Sequence, residues 1–105
     1  METWKNEKTE NLVKTILTLR TAREARMFLR DLLTEKELLE LGNRWKAVQM
    51  LDQKIPYVQI IEETKLSSTT VARISKWLQA GTGGYRLMLN RICNHHRTLS
   101  HPRKR

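Results

Sequence analysis

A chain of 105 residues and 12.4 kDa, 39% hydrophobic and 30% charged, has room for one globular domain with a modest core and is neither disordered nor fibrous in composition. No apolar run has membrane-spanning length and no signal-peptide pattern opens the sequence, so the reading is cytoplasmic. A net charge of +9 and a pI near 10.2 call for a polyanionic partner, most simply nucleic acid. That charge is unevenly placed. Residues 53–105 hold ten Lys and Arg against Glu62 and Glu63, whereas residues 1–52 hold ten against nine. The single Cys93 cannot form an internal disulfide, which agrees with a reducing compartment.

Residues 1–10 are polar, with Trp4 as their one large apolar group, and read as a flexible N-terminus. From Asn11 the pattern is helical, with Leu12, Ile16 and Leu19 on one stripe and Val13 and Leu17 beside it. Thr21 and Glu24 form a capping box ahead of Ala25, Phe28, Leu29 and Leu32. Thr34 and Glu37 repeat it. Leu38, Leu41, Trp45, Val48 and Leu51 then give the longest apolar stripe in the chain, which reads as core. These stripes are more than so small a chain covers by itself, which predicts a homodimer.

The segment from Pro56 to Ala80 reads as a helix-turn-helix. Pro56 pre-sets φ for the first turn of a short helix with Ile60, Ile61 and Thr64 on one face. Leu66 anchors the turn. Ser67 then caps a second helix in which Val71, Ile74, Trp77 and Leu78 recur at three- and four-residue spacing. The outward positions of that helix are Ser67, Ser68, Thr69, Thr70, Arg73 and Lys76, with no acid among them. Short hydroxyl side chains let the backbone approach a duplex, while Arg73 and Lys76 reach bases or phosphates. Lys65 occupies the turn position where glycine usually supplies positive φ, at a cost of roughly 1 kcal/mol. Ile61 stands where a small residue usually lets the two helices approach.

Gly81, Gly83 and Gly84 stop the second helix, Gly81 as an αL cap. Tyr85 to Asn94 resumes a helical pattern through Leu89 and Ile92, and residues 95–105 read as a basic flexible tail. The organisation is therefore a flexible segment 1–10, a domain 11–94 and the tail, and the fold class is all-α with about six short helices. No strand pattern, Gly-rich phosphate loop or nucleophile elbow is present, which points away from an enzyme and from any cofactor. Cys93, His95, His96 and His101 match no compact zinc finger and read as a fortuitous cluster, leaving no metal site. Glu62 and Glu63 diverge on a helix and form no acid/base dyad.

The run from Leu19 to Arg91, with LRTAREARMFLRDLLTEKELLELGNRWKAVQMLD, IIEETKLSSTTVARISKWL and GTGGYRLMLNR, resembles the YerC/YecD group of tryptophan-repressor-like proteins. The resemblance implies an intertwined all-helical homodimer whose N-terminal helices share one core. The tryptophan repressor itself is a more distant relative. Thr34, Arg44, Thr70 and Arg73 sit where it uses Thr, Arg, Thr and Arg around its bound tryptophan. Ile74 stands where it has Gly, and Trp77 where it has Ser. Four added carbons overfill a space that the indole needs, at a cost of about 1 to 3 kcal/mol. The expected effector pocket, lined by Thr34, Arg44, Thr70, Arg73, Ile74 and Trp77, is therefore filled by the protein.

The function expected is a sequence-specific DNA-binding transcriptional regulator, a repressor, acting as a homodimer on a palindromic operator without tryptophan as corepressor. Ser68, Thr69 and Lys76 are the best placed DNA contacts, because the arginine matching Arg73 serves the ligand in the repressor. RNA binding and a protein-interaction module on the same scaffold are the alternatives. The first wants aromatic stacking platforms, for which Trp4, Tyr57 and Tyr85 are the candidates. The second would tolerate neutral residues at Arg73 and Lys76.

Overall fold

A computed structural model describes the backbone of residues 3–100 and the side chains of residues 3–93. Within them the chain is all-α, with α1 (Glu7–Ile16), α2 (Ala22–Leu32), α3 (Glu35–Asp52), α4 (Tyr57–Thr64), α5 (Ser68–Ala80) and α6 (Gly84–Ser100) and no strand. None of these helices is long and apolar enough to cross a membrane. The chain divides after Leu38 into two compact units.

The first unit is made by its caps. Asn6 starts α1 through a reciprocal box, its Oδ1 accepting from the Thr9 N–H at 3.0 Å while Thr9 Oγ1 accepts from the Asn6 N–H at 3.1 Å. The Thr9 hydroxyl also donates to the Trp4 carbonyl. This helix therefore begins at Glu7, inside the segment read as flexible, because an Asn/Thr pair satisfies the first free N–H groups as well as a Ser/Glu pair does. Thr21 caps α2 by accepting from the Glu24 N–H at 3.1 Å. Glu24 reaches back one residue further than a regular box, accepting from the Arg20 N–H at 2.8 Å. The Thr34/Glu37 box is complete, with bonds of 2.9 and 3.1 Å. Neither α1 nor α2 buries a residue in the single chain.

The second unit holds the core. Ala47, Val48 and Met50 from α3 pack with Ile60 from α4 and with Val71 and Ile74 from α5, and Trp45, Leu51, Leu66, Leu78, Tyr85 and Leu89 close around them. Of the stripe read as core on α3, only Val48 is fully buried, and Leu41 is exposed. Ala47 and Met50 take the core positions instead, since α3 carries apolar residues around most of its circumference and spacing alone cannot choose the inner face. The Trp45 and Tyr85 rings lie 6.3 Å apart and tilted, joining α3 to α6. Arg86 of α6 donates to Asp52 at the end of α3 at 2.7 Å.

Two lysines adopt left-handed backbone. Lys54 (φ 64°) follows α3, where the Ile55 N–H bonds the Met50 carbonyl and the Lys54 N–H bonds the Leu51 carbonyl, the paired closure that glycine usually supplies. Lys65 (φ 63°, ψ 15°) ends α4, its N–H donating to the Ile61 carbonyl at 2.8 Å. The strained turn residue read from the sequence is thus present. Lys65→Gly should stabilise the protein by about 0.5–1 kcal/mol and raise the melting temperature by a few degrees. A lower melting temperature would show that the lysine side chain contributes more than its backbone costs.

Three boundaries differ from those read in the sequence. Pro56 is the N-cap of α4, one residue ahead of the first turn, with extended backbone (φ −61°, ψ 148°). Gly81 is not left-handed but has φ −85° and ψ −149°. Glycine is needed there because a Cβ would lie 2.5 Å from the Trp77 carbonyl oxygen. Positive φ is used two residues later, at Gly83 (φ 97°). Finally, α6 continues through Ser100 rather than ending at Asn94, since no breaker precedes Pro102. Residues 101–105, the rest of the expected tail, lie outside the described residues.

Candidate nucleic-acid interface

The turn between α4 and α5 is pinned by one buried hydroxyl. Thr64 is 1% exposed, its Oγ1 donates to the Ile60 carbonyl at 2.8 Å, and it accepts from the Leu66 N–H at 3.3 Å. One side chain thus ties the last turn of α4 to the residue that enters α5. Ser67 then starts α5 by accepting from the Thr70 N–H at 3.1 Å. Val71 and Ile74 are fully buried against Val48 and Ile60, which fixes the rotation of α5 about its axis.

With that rotation set, the side of α5 opposite Val71 and Ile74 carries Thr69, Ala72, Arg73 and Lys76, all exposed, with Ser68 at its edge. No acidic residue occurs in α5. Among the described residues neither Arg73 nor Lys76 forms an ion pair. The stripe is therefore a cationic surface with short hydroxyls and a methyl group between the charges. Ala72 is the member that the sequence reading missed. Its signal was the spacing from Thr69 through Ala72 to Lys76, and its chemistry suits close backbone approach or contact with a thymine methyl.

The other candidate positions divide. The Ser67 and Thr70 hydroxyls lie 3.0 Å apart, and Thr70 is half-buried. Both therefore belong to the cap, and the free hydroxyls are those of Ser68 and Thr69. Thr34 is committed to capping α3, and Arg44 pairs with Glu40 one turn earlier at 3.1 Å. Ile74 lies in the core, while Trp77 is 43% exposed and outside it, contrary to its place in the apolar spacing of α5. Trp77 stands about 120° round the helix from Val71, so it borders the core rather than entering it. Of the Cys93, His95, His96 and His101 cluster only the exposed Cys93 has a described side chain.

Among the described residues there are six helices and no strand, with a cationic face on the second of two turn-linked helices, and the comparison with known families says which all-α class this is. The chain belongs to the Trp repressor protein family, whose model matches residues 7–93. It is 31% identical over 83 residues to the uncharacterized protein YerC of Bacillus subtilis, covering 79% of this chain and 80% of that one. Its fold matches the crystal structure of a TrpR-like protein from Eubacterium eligens with a TM-score of 0.79 at 32% identity, over 85% of this chain and 92% of that one. A Staphylococcus aureus protein, described as a candidate Trp repressor, matches with a TM-score of 0.78 at 28% identity, over 88% and 95% of the two chains.

Proposed function

We propose that this chain is a sequence-specific DNA-binding transcriptional regulator, a repressor, which acts as a homodimer in the cytoplasm and needs no tryptophan as corepressor. The observation that carries the reading is the acid-free outward face of α5, with Ser68, Thr69, Arg73 and Lys76 held by the buried Val71 and Ile74. A helix so fixed can enter a major groove, reading base edges with the hydroxyls and neutralising phosphates with the cations. Membership of the Trp repressor protein family supports the same use.

Exposed apolar side chains support the homodimer. Exposed Val13 and Ile16 on α1, Leu17 at its C-cap, and Met27 and Leu32 on α2 are apolar side chains that a second copy would cover. Two copies related by a two-fold axis would present their α5 helices to successive major grooves, roughly 34 to 36 Å apart, on a palindromic operator.

Independence from tryptophan rests on Ile74. Its side chain is already part of the core, so an indole could enter only by displacing it. Calorimetric titration with L-tryptophan should give no saturable heat, and the melting temperature should not move with added amino acid. A saturable isotherm would show that the pocket opens and that an effector controls the protein. The DNA reading is tested by titrating a labelled duplex at a series of salt concentrations. Affinity should fall by about 0.9 log units per log unit of salt for each phosphate contacted, whereas binding that ignores salt would contradict the role of the cationic face.

A further inference from the structure

The first two turns of α5 decide which base edges its outward face can read, because a recognition helix meets the bases with its N-terminal residues. Beyond the cap, the exposed residues there are Ser68, Thr69, Ala72 and Arg73. Lys76 lies about 10 Å past Thr69 along the axis, where the helix has left the bases and phosphates come within reach. Adenine is read by a bidentate Asn or Gln, and cytosine by an acid. The one amide of α5, Gln79, stands in its last turn with Nε2 donating to Ser75 Oγ at 3.3 Å, and the helix holds no acid. Arg73 could grip a guanine, but it stands about 100° round the helix from Ala72, on the flank. Hydroxyls bond to several bases and choose weakly among them. What remains in the middle of the face is apolar: the Cβ of Ala72 and the Cγ2 of Thr69.

We propose that Thr69 and Ala72 select thymine, packing their methyl groups against the C5-methyls of two thymines in each half-site. The inference rests on the DNA reading above and names the bases that it recognises. Thymine is the only base that offers a methyl group to the major groove, so an apolar contact there separates it from the other three. Residues three apart on a helix have Cβ atoms about 5–6 Å apart. Base pairs stack about 3.4 Å apart, so that spacing exceeds one step and falls short of two. Both thymines therefore lie within three consecutive base pairs. Ala72 has no longer side chain to hold the backbone off, and the buried Val71 and Ile74 on either side of it keep the methyl turned outward.

The test takes the operator recovered by selection from a random duplex pool and replaces each thymine in turn by deoxyuridine, which deletes one methyl and no hydrogen-bonding group. In the wild type, two positions of a half-site should each cost about fourfold in affinity, the loss that follows from unburying one methyl. Thr69→Ser, which keeps the hydroxyl, should lose the response at one of them, and Ala72→Gly at the other, with circular dichroism checking that each variant folds. The wild type and Thr69→Ser decide the matter even where glycine weakens α5. A wild type indifferent to every deoxyuridine, to within about 1.5-fold, would overturn methyl recognition and leave the DNA reading standing. A response unchanged in both variants would overturn the assignment to these residues. A pool that yields no operator would overturn the sequence-specific DNA reading itself, and this proposal with it.

Discussion

Replacing Ile74 by alanine should destabilise the protein by about 2–5 kcal/mol. The residue is completely buried and shares the core with Val48, Ile60 and Val71. Loss of three carbons removes their transfer free energy and leaves a void that the helices close only in part. A domain of this size has about 5–15 kcal/mol to lose. At about 4–8 °C for each kcal/mol, the melting temperature should fall by about 10 °C or more. Function should fail with it, since the same side chain sets which face of α5 points outward. Circular dichroism melts and urea titration read the first effect, and DNA titration below the new melting temperature reads the second. A variant that melts like the wild type would mean that Ile74 is not packed and that the pocket is open, which would also revive an effector.

The double variant Arg73→Ala/Lys76→Ala should do the opposite, sparing the fold and removing the binding. Both residues are exposed and lack ion pairs among the described residues, so the stability change should stay within about 0.5 kcal/mol. If each neutralises one phosphate, the salt slope should fall by about 1.8 and affinity at about 0.1 M salt should drop by about 60-fold. Lys76→Ala alone should weaken all sequences nearly equally, because a phosphate contact carries no sequence information. An unchanged slope in the double variant would place the contacts elsewhere. Weakening confined to one operator sequence would instead mark Arg73 or Lys76 as a base reader.

What the sequence revealed was local chemistry with one solution. Thr34/Glu37 is a reciprocal box wherever it starts a helix, Ser67 caps α5, and a turn of that length requires Lys65 to take positive φ. Ile60, Thr64, Val71 and Ile74 were legible as core because they recur at three- and four-residue spacing on one face of α4 and of α5. α3 was not, for its apolar residues fall on two sides, and which one faces inward depends on elements distant in the chain. Gly81 was misread because glycine at a helix end serves either a left-handed turn or a close approach, and only the placement of the Trp77 carbonyl decides between them. The start of α1 was missed because Asn6 and Thr9 make a box without an acid. In the candidate interface, the rotation of α5 about its axis separated Ser68, Thr69, Arg73 and Lys76, which face outward, from Ser67 and Thr70, which serve the cap. That rotation is a property of packing rather than of spacing, and it also brought Ala72 into the surface.

The most direct test of the central claim is selection of a random duplex DNA pool by the purified protein at near-physiological salt, followed by sequencing of the retained fraction. Enrichment of an inverted repeat with half-sites about one helical turn apart is the predicted result. Retention without any enriched sequence, vanishing as salt rises, would contradict it and leave an RNA or a protein as the partner of the cationic face.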